Sequence, residues 1–104
     1  MTQLKHVSPR EAYAAYMLGS VLVDVREPEE ARHQPDLRQL RSIPVSQLDV
    51  RYTELPSDRP VVLLSKVGNK STDAARFLLT HGFGDVSVVT GGLQAWAEEG
   101  MPVK

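Results

Sequence analysis

The 104-residue chain has 12 Lys+Arg, 13 Asp+Glu, three His and no cysteine, and its formal net charge is -1. This length is close to the commonest size of one domain, so we expect a single domain over residues 1–104. The near-neutral charge argues against general binding to nucleic acid or acidic membranes, and the absence of cysteine excludes disulfides, thiolate metal sites and a thiol nucleophile.

The first predicted element is a helix over residues 9–18. Ser8 is a typical N-cap, a proline follows it at the first helical position, and Glu11 completes a capping box. Gly19 then supplies the left-handed residue that commonly ends a helix. The β-branched run at 21–25 predicts a strand that is buried on both faces, as in a parallel sheet.

The middle of the chain, from residue 29 to residue 60, has a weaker pattern. Charged residues, prolines and short apolar pairs favour loops, with short helices around 29–32 and 46–52. A short strand is expected at 41–43. The adjacent Glu29 and Glu30 are expected on a solvated helix face.

The second half of the chain alternates strands and helices more regularly. Ser71 is predicted to be the N-cap of a helix that Gly82 ends. The alternation predicts an α/β fold, with a mainly parallel central sheet flanked by helices in three layers. The strands are expected at 61–64 and 85–89, and the helices at 71–82 and 93–99.

The connection after the strand at 61–64 is the most informative loop. In open parallel sheets, ligands bind beyond the carboxyl ends of the strands, because the loops there lead into helix N-termini with free N–H groups. Here a glycine permits a positive φ, an asparagine tolerates one, and two lysines add positive charge. An ordinary connection with solvated lysines is the alternative to a site for an anion. The segment consists of Ser65, Lys66, Val67, Gly68, Asn69, Lys70 and Ser71.

This 65–71 segment resembles the active-site loop of the rhodanese-like sulfurtransferases, in which a catalytic cysteine precedes a glycine-containing turn and a basic residue. Four further stretches are similar to motifs of that family and occur in the same order. They are D-V-R-E at 24–27, G-F-x-x-V at 82–86, G-G-x-x-A-W at 91–96 and G-x-P-V at 100–103. The segment at 31–37 departs from the family's G-H-I-P-G-A.

Ser65 occupies the position of the family's catalytic cysteine, which holds the transferred sulfur as a persulfide. The resemblance therefore implies a domain that is related to thiosulfate and persulfide sulfurtransferases, is inactive as written, and keeps an anion-binding loop for a thiosulfate-like donor. A protein partner is a further expectation for such a module. The alternative is an active sulfurtransferase whose cysteine has been changed to serine. A serine hydrolase-type site is the third and least favoured hypothesis.

Two other residues and the histidines bear on these hypotheses. Asp24 and Arg26 end a buried strand near the loop, and we expect them to support it through an ion pair or backbone hydrogen bonds. Of the three histidines, only His33 is expected on the pocket side. A hydrolase would therefore need a Ser65–His33 pair, and no orienting acid is specified for it.

No metal or cofactor is expected, because three dispersed histidines without cysteine make no ligand cluster. No apolar run approaches the ~20 residues that a membrane span needs. The first residues lack the apolar stretch of a secretion signal, so we expect a cytoplasmic location.

Overall fold

The computed structural model describes residues 4–104. Its strands are β1 Lys5–Val7, β2 Val21–Asp24, β3 Arg41–Ser42, β4 Val61–Leu64 and β5 Val86–Val89. Its α-helices are α1 Pro9–Met17, α2 Leu48–Arg51, α3 Asn69–Leu79 and α4 Gly92–Glu98. The strands form one sheet in the order β1-β5-β4-β2-β3, and every neighbouring pair is parallel. No helix within residues 4–104 is long and apolar enough to cross a membrane.

Successive residues of the central strands pack into two different apolar clusters. Val23 of β2 lies in a cluster with Leu78 of α3 and Leu48 of α2. Leu22 lies in the other cluster, with Ala12 of α1 and Trp96 of α4. Because successive side chains of a strand point to opposite faces, a sheet covered by helices on both faces needs continuous apolar strands. The predicted three-layer α/β architecture is confirmed.

The predicted start and end of α1 are also confirmed. Ser8 Oγ accepts a hydrogen bond from the Glu11 N–H at 3.1 Å, and Glu11 Oε1 accepts one from the Ser8 N–H at 2.8 Å. The backbone N–H of Ser8, followed by its side chain, lowers the pKa of Glu11. Gly19 follows the helix with a φ of 109°.

The middle of the chain differs from the prediction in detail. The helix expected at 29–32 is a single 3-10 turn, Pro28–Glu30, and the helix expected at 46–52 is divided into the turn Val45–Gln47, α2 and the turn Tyr52–Glu54. β3 has two residues instead of three. β1 was not predicted, because two of its three residues are exposed and the strand is defined by its pairing with β5.

Candidate active site

The 65–71 segment leaves the sheet at the end of β4, which lies between β2 and β5. Only residues 65–68 form a loop, because α3 begins at Asn69. Gly68 is the N-cap residue of α3 and has a φ of 102°, in the left-handed region that favours glycine. The prediction that Ser71 is the N-cap is therefore wrong. Gly68 turns the chain into the helix earlier than the spacing of apolar residues indicated.

The start of α4 holds this loop from the side. The N–H of Leu93 donates to the carbonyl of Ser65 at 2.8 Å, and the N–H of Gln94 donates to the carbonyl of Lys66 at 3.2 Å. Gly92 allows the close approach, because a Cβ at this position would overlap the Ser65 carbonyl oxygen and lie 2.7 Å from the Lys66 carbonyl carbon. The G-G-x-x-A-W motif thus supports the loop, in addition to forming the expected turn.

Ser65 is buried, and its hydroxyl is held by hydrogen bonds inside the segment. Its side-chain oxygen accepts from the N–H of Gly68 at 2.9 Å and donates to Ser71 Oγ at 3.3 Å. Ser71 Oγ in turn donates to the Gly68 carbonyl at 3.1 Å. Ser71 is fully buried, and Ser65 is 2% exposed. The two hydroxyls therefore fix the geometry of the turn around Gly68.

The structure brings no histidine to Ser65 within residues 4–104, since the hydroxyl has hydrogen bonds only with Gly68 and Ser71. His81 stacks on Phe77 with ring centroids 4.0 Å apart, and its Nδ1 lies 2.7 Å from the Phe77 carbonyl oxygen. His6 is exposed in β1. The serine hydrolase hypothesis consequently has no general base among the described contacts of Ser65.

Lys70 is paired with an acid that is forty positions away in the chain. Its Nζ lies 3.4 Å from Glu30 Oε1, and the Glu30 side chain is 26% exposed. The backbone N–H of Glu27 is the main cause of a lowered Glu30 pKa, and Lys70 and then Lys66 lower it further. Glu30 therefore lies partly exposed on a 3-10 turn, and it is a surface counter-ion of the segment.

Asp24, the last residue of β2, forms a buried ion pair with Arg26. Arg26 Nη2 lies 2.8 Å from Asp24 Oδ2, and both side chains are 3% exposed. The guanidinium also donates to the carbonyls of Glu30 at 3.2 Å and His33 at 2.6 Å. The pair thereby stabilises the chain after β2 in a position beside the loop, and this stretch of chain carries Glu30. Its effect on the 65–71 segment is indirect.

A pocket of about 680 Å³, the loop pocket, opens beside the segment. Lys66 lines it, and Ser65 lies beneath the surface outside its lining. Sequence reasoning missed the contribution of α4, which supplies Leu93, Gln94 and Ala97. Their i, i+1 and i+4 spacing places them on one helix face, which is the signal that would have identified them. The loop pocket also has four charged side chains on the chain after β2, namely Arg26, Glu29, Glu30 and Arg32, together with His33.

The described part of the chain has no group of three or more His, Asp or Glu side chains placed to hold a metal ion. Trp96, by contrast, is a core residue, fully buried and donating from Nε1 to the Pro102 carbonyl at 2.8 Å. Its edge-to-face contact with Tyr13 joins α4 to α1. The absence of any cofactor stays a prediction.

Comparisons with known proteins agree with this arrangement. A sequence model of the rhodanese-like domain family matches residues 8–99. Thiosulfate sulfurtransferase GlpE of Pseudomonas syringae pv. syringae is 39% identical over 98 residues, 92% of this chain and 90% of that protein. A sulfurtransferase of Allochromatium vinosum is 38% identical over 85 residues, 80% of this chain and 77% of that protein.

Solved structures of similar proteins share the fold over almost the whole chain. A rhodanese-related protein from Thermoplasma volcanium superposes with a TM-score of 0.83 and 31% identity, covering 96% of this chain and 97% of the other. The polysulfide-sulfur transferase of Wolinella succinogenes superposes with a TM-score of 0.85 and 28% identity, covering 97% of this chain and 78% of the other. The chain therefore shares its overall fold with these proteins.

Proposed function

This chain belongs to the rhodanese-like domain family and is related to thiosulfate sulfurtransferases, and on that premise we propose that it binds a thiosulfate-like anion at the 65–71 segment without transferring sulfur. The observation that carries the proposal is the buried hydroxyl of Ser65 at the head of the segment, in a chain that has no cysteine. The absence of sulfur transfer follows from the chemistry of the hydroxyl, and the anion site follows from the charge and the backbone N–H groups of the segment.

Sulfur transfer of the family's kind needs a thiolate. The thiolate attacks the outer sulfur of thiosulfate, a new sulfur–sulfur bond forms, and sulfite leaves with the electron pair of the broken bond. A free thiol has a pKa near ~8.5, and a helix N-terminus with nearby cations lowers it to ~7 or below. A loop of this kind is sufficient to prepare a cysteine at neutral pH.

A serine hydroxyl is much harder to ionise. Taking the value of water, ~15.7, as a guide, ionisation at pH 7 requires about nine pKa units, or roughly 12 kcal/mol. A helix N-terminus contributes at most ~2 kcal/mol. The hydroxyl of Ser65 is moreover engaged with Gly68 and Ser71 and has no base beside it among the described residues. We therefore expect no persulfide chemistry from this chain.

The anion site rests on backbone and side-chain charge together. The first N–H groups of α3 have no acceptor within the helix, and the positive end of the helix dipole points to the segment. Lys66 and Lys70 add two cationic side chains, both of them exposed. Because Lys70 already contacts Glu30, an entering anion competes with that carboxylate for the ammonium group. We therefore propose modest affinity and easy exchange of the anion.

Thermal unfolding with sodium thiosulfate and sodium sulfate tests the anion site, with sodium chloride at matched ionic strength as the reference. At about ten times the Kd, binding to the native state adds ~1.4 kcal/mol, which raises the Tm by roughly 5–10 °C. Lys70→Ala is expected to abolish this rise, while Arg76→Ala, at the other end of α3, retains it. A rise that is equal in chloride, or unchanged in Lys70→Ala, would contradict the proposal.

A second candidate is an active sulfurtransferase in which a cysteine stands at position 65. It is favoured by the 39% identity to a thiosulfate sulfurtransferase over 92% of this chain. The anion site is the same in both readings, and only the nucleophile differs. The residue that the source gene encodes at position 65 distinguishes them. The expected cytoplasmic location, the single domain and a protein partner stay predictions.

A further inference from the structure

A second positively charged pocket lies away from the 65–71 segment. It has a volume of about 470 Å³ and contains three arginines, Arg38, Arg41 and Arg59. The other residues that line it and enter the argument are Tyr16, Ser20 and Leu40. We name it the arginine pocket. Nothing in the proposed function uses these residues.

The topology places the arginine pocket at the amino edge of the sheet. Ser20 directly precedes β2, Leu40 directly precedes β3, and Arg59 lies two positions before β4. The 65–71 segment follows β4, and all the neighbouring strands are parallel, so it leaves the sheet at the carboxyl edge. The two sites are therefore at opposite ends of the strands and do not share residues.

The arginine charges are not neutralised by the surrounding chain. No carboxylate lines the pocket, and none of its arginines forms an ion pair within residues 4–104. Glu54, whose pKa is lowered first by Arg51 and less by Arg41, is held by Arg51 at 2.9 and 3.1 Å. A net charge of -1 for the whole chain makes this concentration of positive charge a local feature.

The geometry favours a small ligand with more than one anionic group. Arg59 Nη2 donates to the Gly19 carbonyl at 2.6 Å, which anchors one guanidinium at the pocket. The side chains of Arg38 and Arg41 are exposed and make no side-chain hydrogen bond within the described chain. A guanidinium matches phosphate oxygens in a bidentate manner, and three of them supply more donors than one phosphate can use.

We propose that the arginine pocket binds a small molecule carrying two linked phosphate groups. The volume lies within the ~300–1,000 Å³ range of small-ligand sites, and it is many times the ~30 Å³ that one water molecule occupies. Tyr16 and Leu40 offer apolar surface for an organic part of such a ligand. The Tyr16 hydroxyl accepts from the Gln39 N–H at 3.2 Å, which fixes the ring at the wall of the pocket.

Isothermal titration calorimetry with inorganic pyrophosphate, together with amide chemical shifts on the labelled protein, tests this proposal. We expect saturable binding that is at least tenfold tighter for pyrophosphate than for orthophosphate or sulfate, because the additional charge engages further guanidinium donors. The amide shifts should concentrate at residues 19–21 and 38–41. ADP also carries two linked phosphate groups. If ADP binds at least as tightly as pyrophosphate, the ligand is of the nucleotide type; if ADP binds more weakly, the ligand is inorganic.

Variants separate this site from general charge effects. The double variant Arg38→Gln/Arg41→Gln is expected to weaken pyrophosphate binding at least tenfold, while Arg76→Gln on α3 changes it less than twofold. Both changes in the double variant are at exposed positions, so its unfolding curve should match the wild type. The proposal is overturned by shifts confined to residues 66–71, by equal weakening in Arg76→Gln, or by binding that does not saturate.

Discussion

The loop pocket and the arginine pocket both carry positive side chains, but they are built in different ways. At the carboxyl edge, the supporting residues are buried and hydrogen-bonded within the chain: Ser65 donates to Ser71, and Arg26 donates to the His33 carbonyl. At the amino edge, the three arginines are exposed. Substitutions of these buried residues should therefore lower the free energy of unfolding. Substitutions of the exposed arginines should weaken ligand binding and leave the free energy of unfolding unchanged.

The charge balance of the two pockets differs in the same sense. Lys70 at the carboxyl edge has Glu30 as a counter-ion at 3.4 Å, and no carboxylate lines the arginine pocket. The number of cations therefore does not distinguish the two edges of the sheet. The proposed anion site differs from the arginine pocket in its glycine turn at Gly68 and its contacts with the start of α4, which fix where the backbone N–H groups lie.

The largest stability difference is expected at the buried ion pair. Asp24→Asn leaves the Arg26 charge without its partner at 3% exposure, and breaking such a pair costs about 3–5 kcal/mol. Asp85→Asn, which breaks the exposed pair with Lys5, should cost at most ~1 kcal/mol. Urea unfolding of both variants measures the difference, and equal costs would remove the contrast between buried and exposed construction.

Gly92 tests how closely the loop packs on α4. Gly92 has a φ of 59°, and Gly92→Ala places a Cβ against the backbone of Ser65 and Lys66. We expect the free energy of unfolding to fall by about 2–4 kcal/mol. Gly82→Ala is the matched control, because Gly82 has a φ of 93° but nothing within 4 Å of an added Cβ. Its expected loss is ~1 kcal/mol. A Gly92→Ala protein as stable as Gly82→Ala would contradict the described packing.

Glu30 tests the internal competition for Lys70. Glu30→Gln removes the negative charge and keeps an oxygen that can accept from the Glu27 N–H. We expect thiosulfate and sulfate to bind roughly threefold more tightly, which is about 0.65 kcal/mol. Glu98→Gln, at an exposed position on α4, should leave the affinity unchanged. Weaker binding in Glu30→Gln would show that the carboxylate assists the site.

The same carboxylate predicts a smaller pH effect. The pKa of Glu30 lies below its ordinary value of 4.5, mainly through the Glu27 N–H and then through Lys70. Its contribution to stability is therefore present above pH 4.5 and is lost as the pH falls through the lowered pKa. Over that fall, Glu30 releases Lys70, so sulfate affinity should rise about twofold. Sulfate affinity should be measured against pH for the Ser65 chain and for Glu30→Gln. The two plots should differ in slope within this pH window and have the same slope above it.

The sequence predicted the secondary structure best for the strands that are buried on both faces. Continuous apolar runs predicted β2, β4 and β5, because strands covered on both faces cannot alternate with polar residues. It failed at β1, where exposed Lys5 and His6 pair through their backbone with β5. It also placed the start of α3 at Ser71, since side-chain patterns do not report the positive φ of Gly68.

The candidate site was predicted in part for a similar reason. The 65–71 segment is local in sequence, so its position and chemical character follow from a short motif and its resemblance to a family. The Glu30–Lys70 pair and the support from Leu93 and Gln94 join distant parts of the chain. Such contacts depend on the order of strands in the sheet, which no single segment of the sequence encodes.

The most direct measurement is the reaction of Ser65→Cys with thiosulfate, followed by intact-protein mass spectrometry. We predict that the variant gains one sulfur atom, releases one sulfite, and passes the sulfur to cyanide as thiocyanate. The Ser65 protein, treated identically, should gain no mass and form no thiocyanate. Sulfur transfer by the Ser65 protein would contradict the account. A folded Ser65→Cys protein that binds thiosulfate but forms no persulfide would contradict it equally.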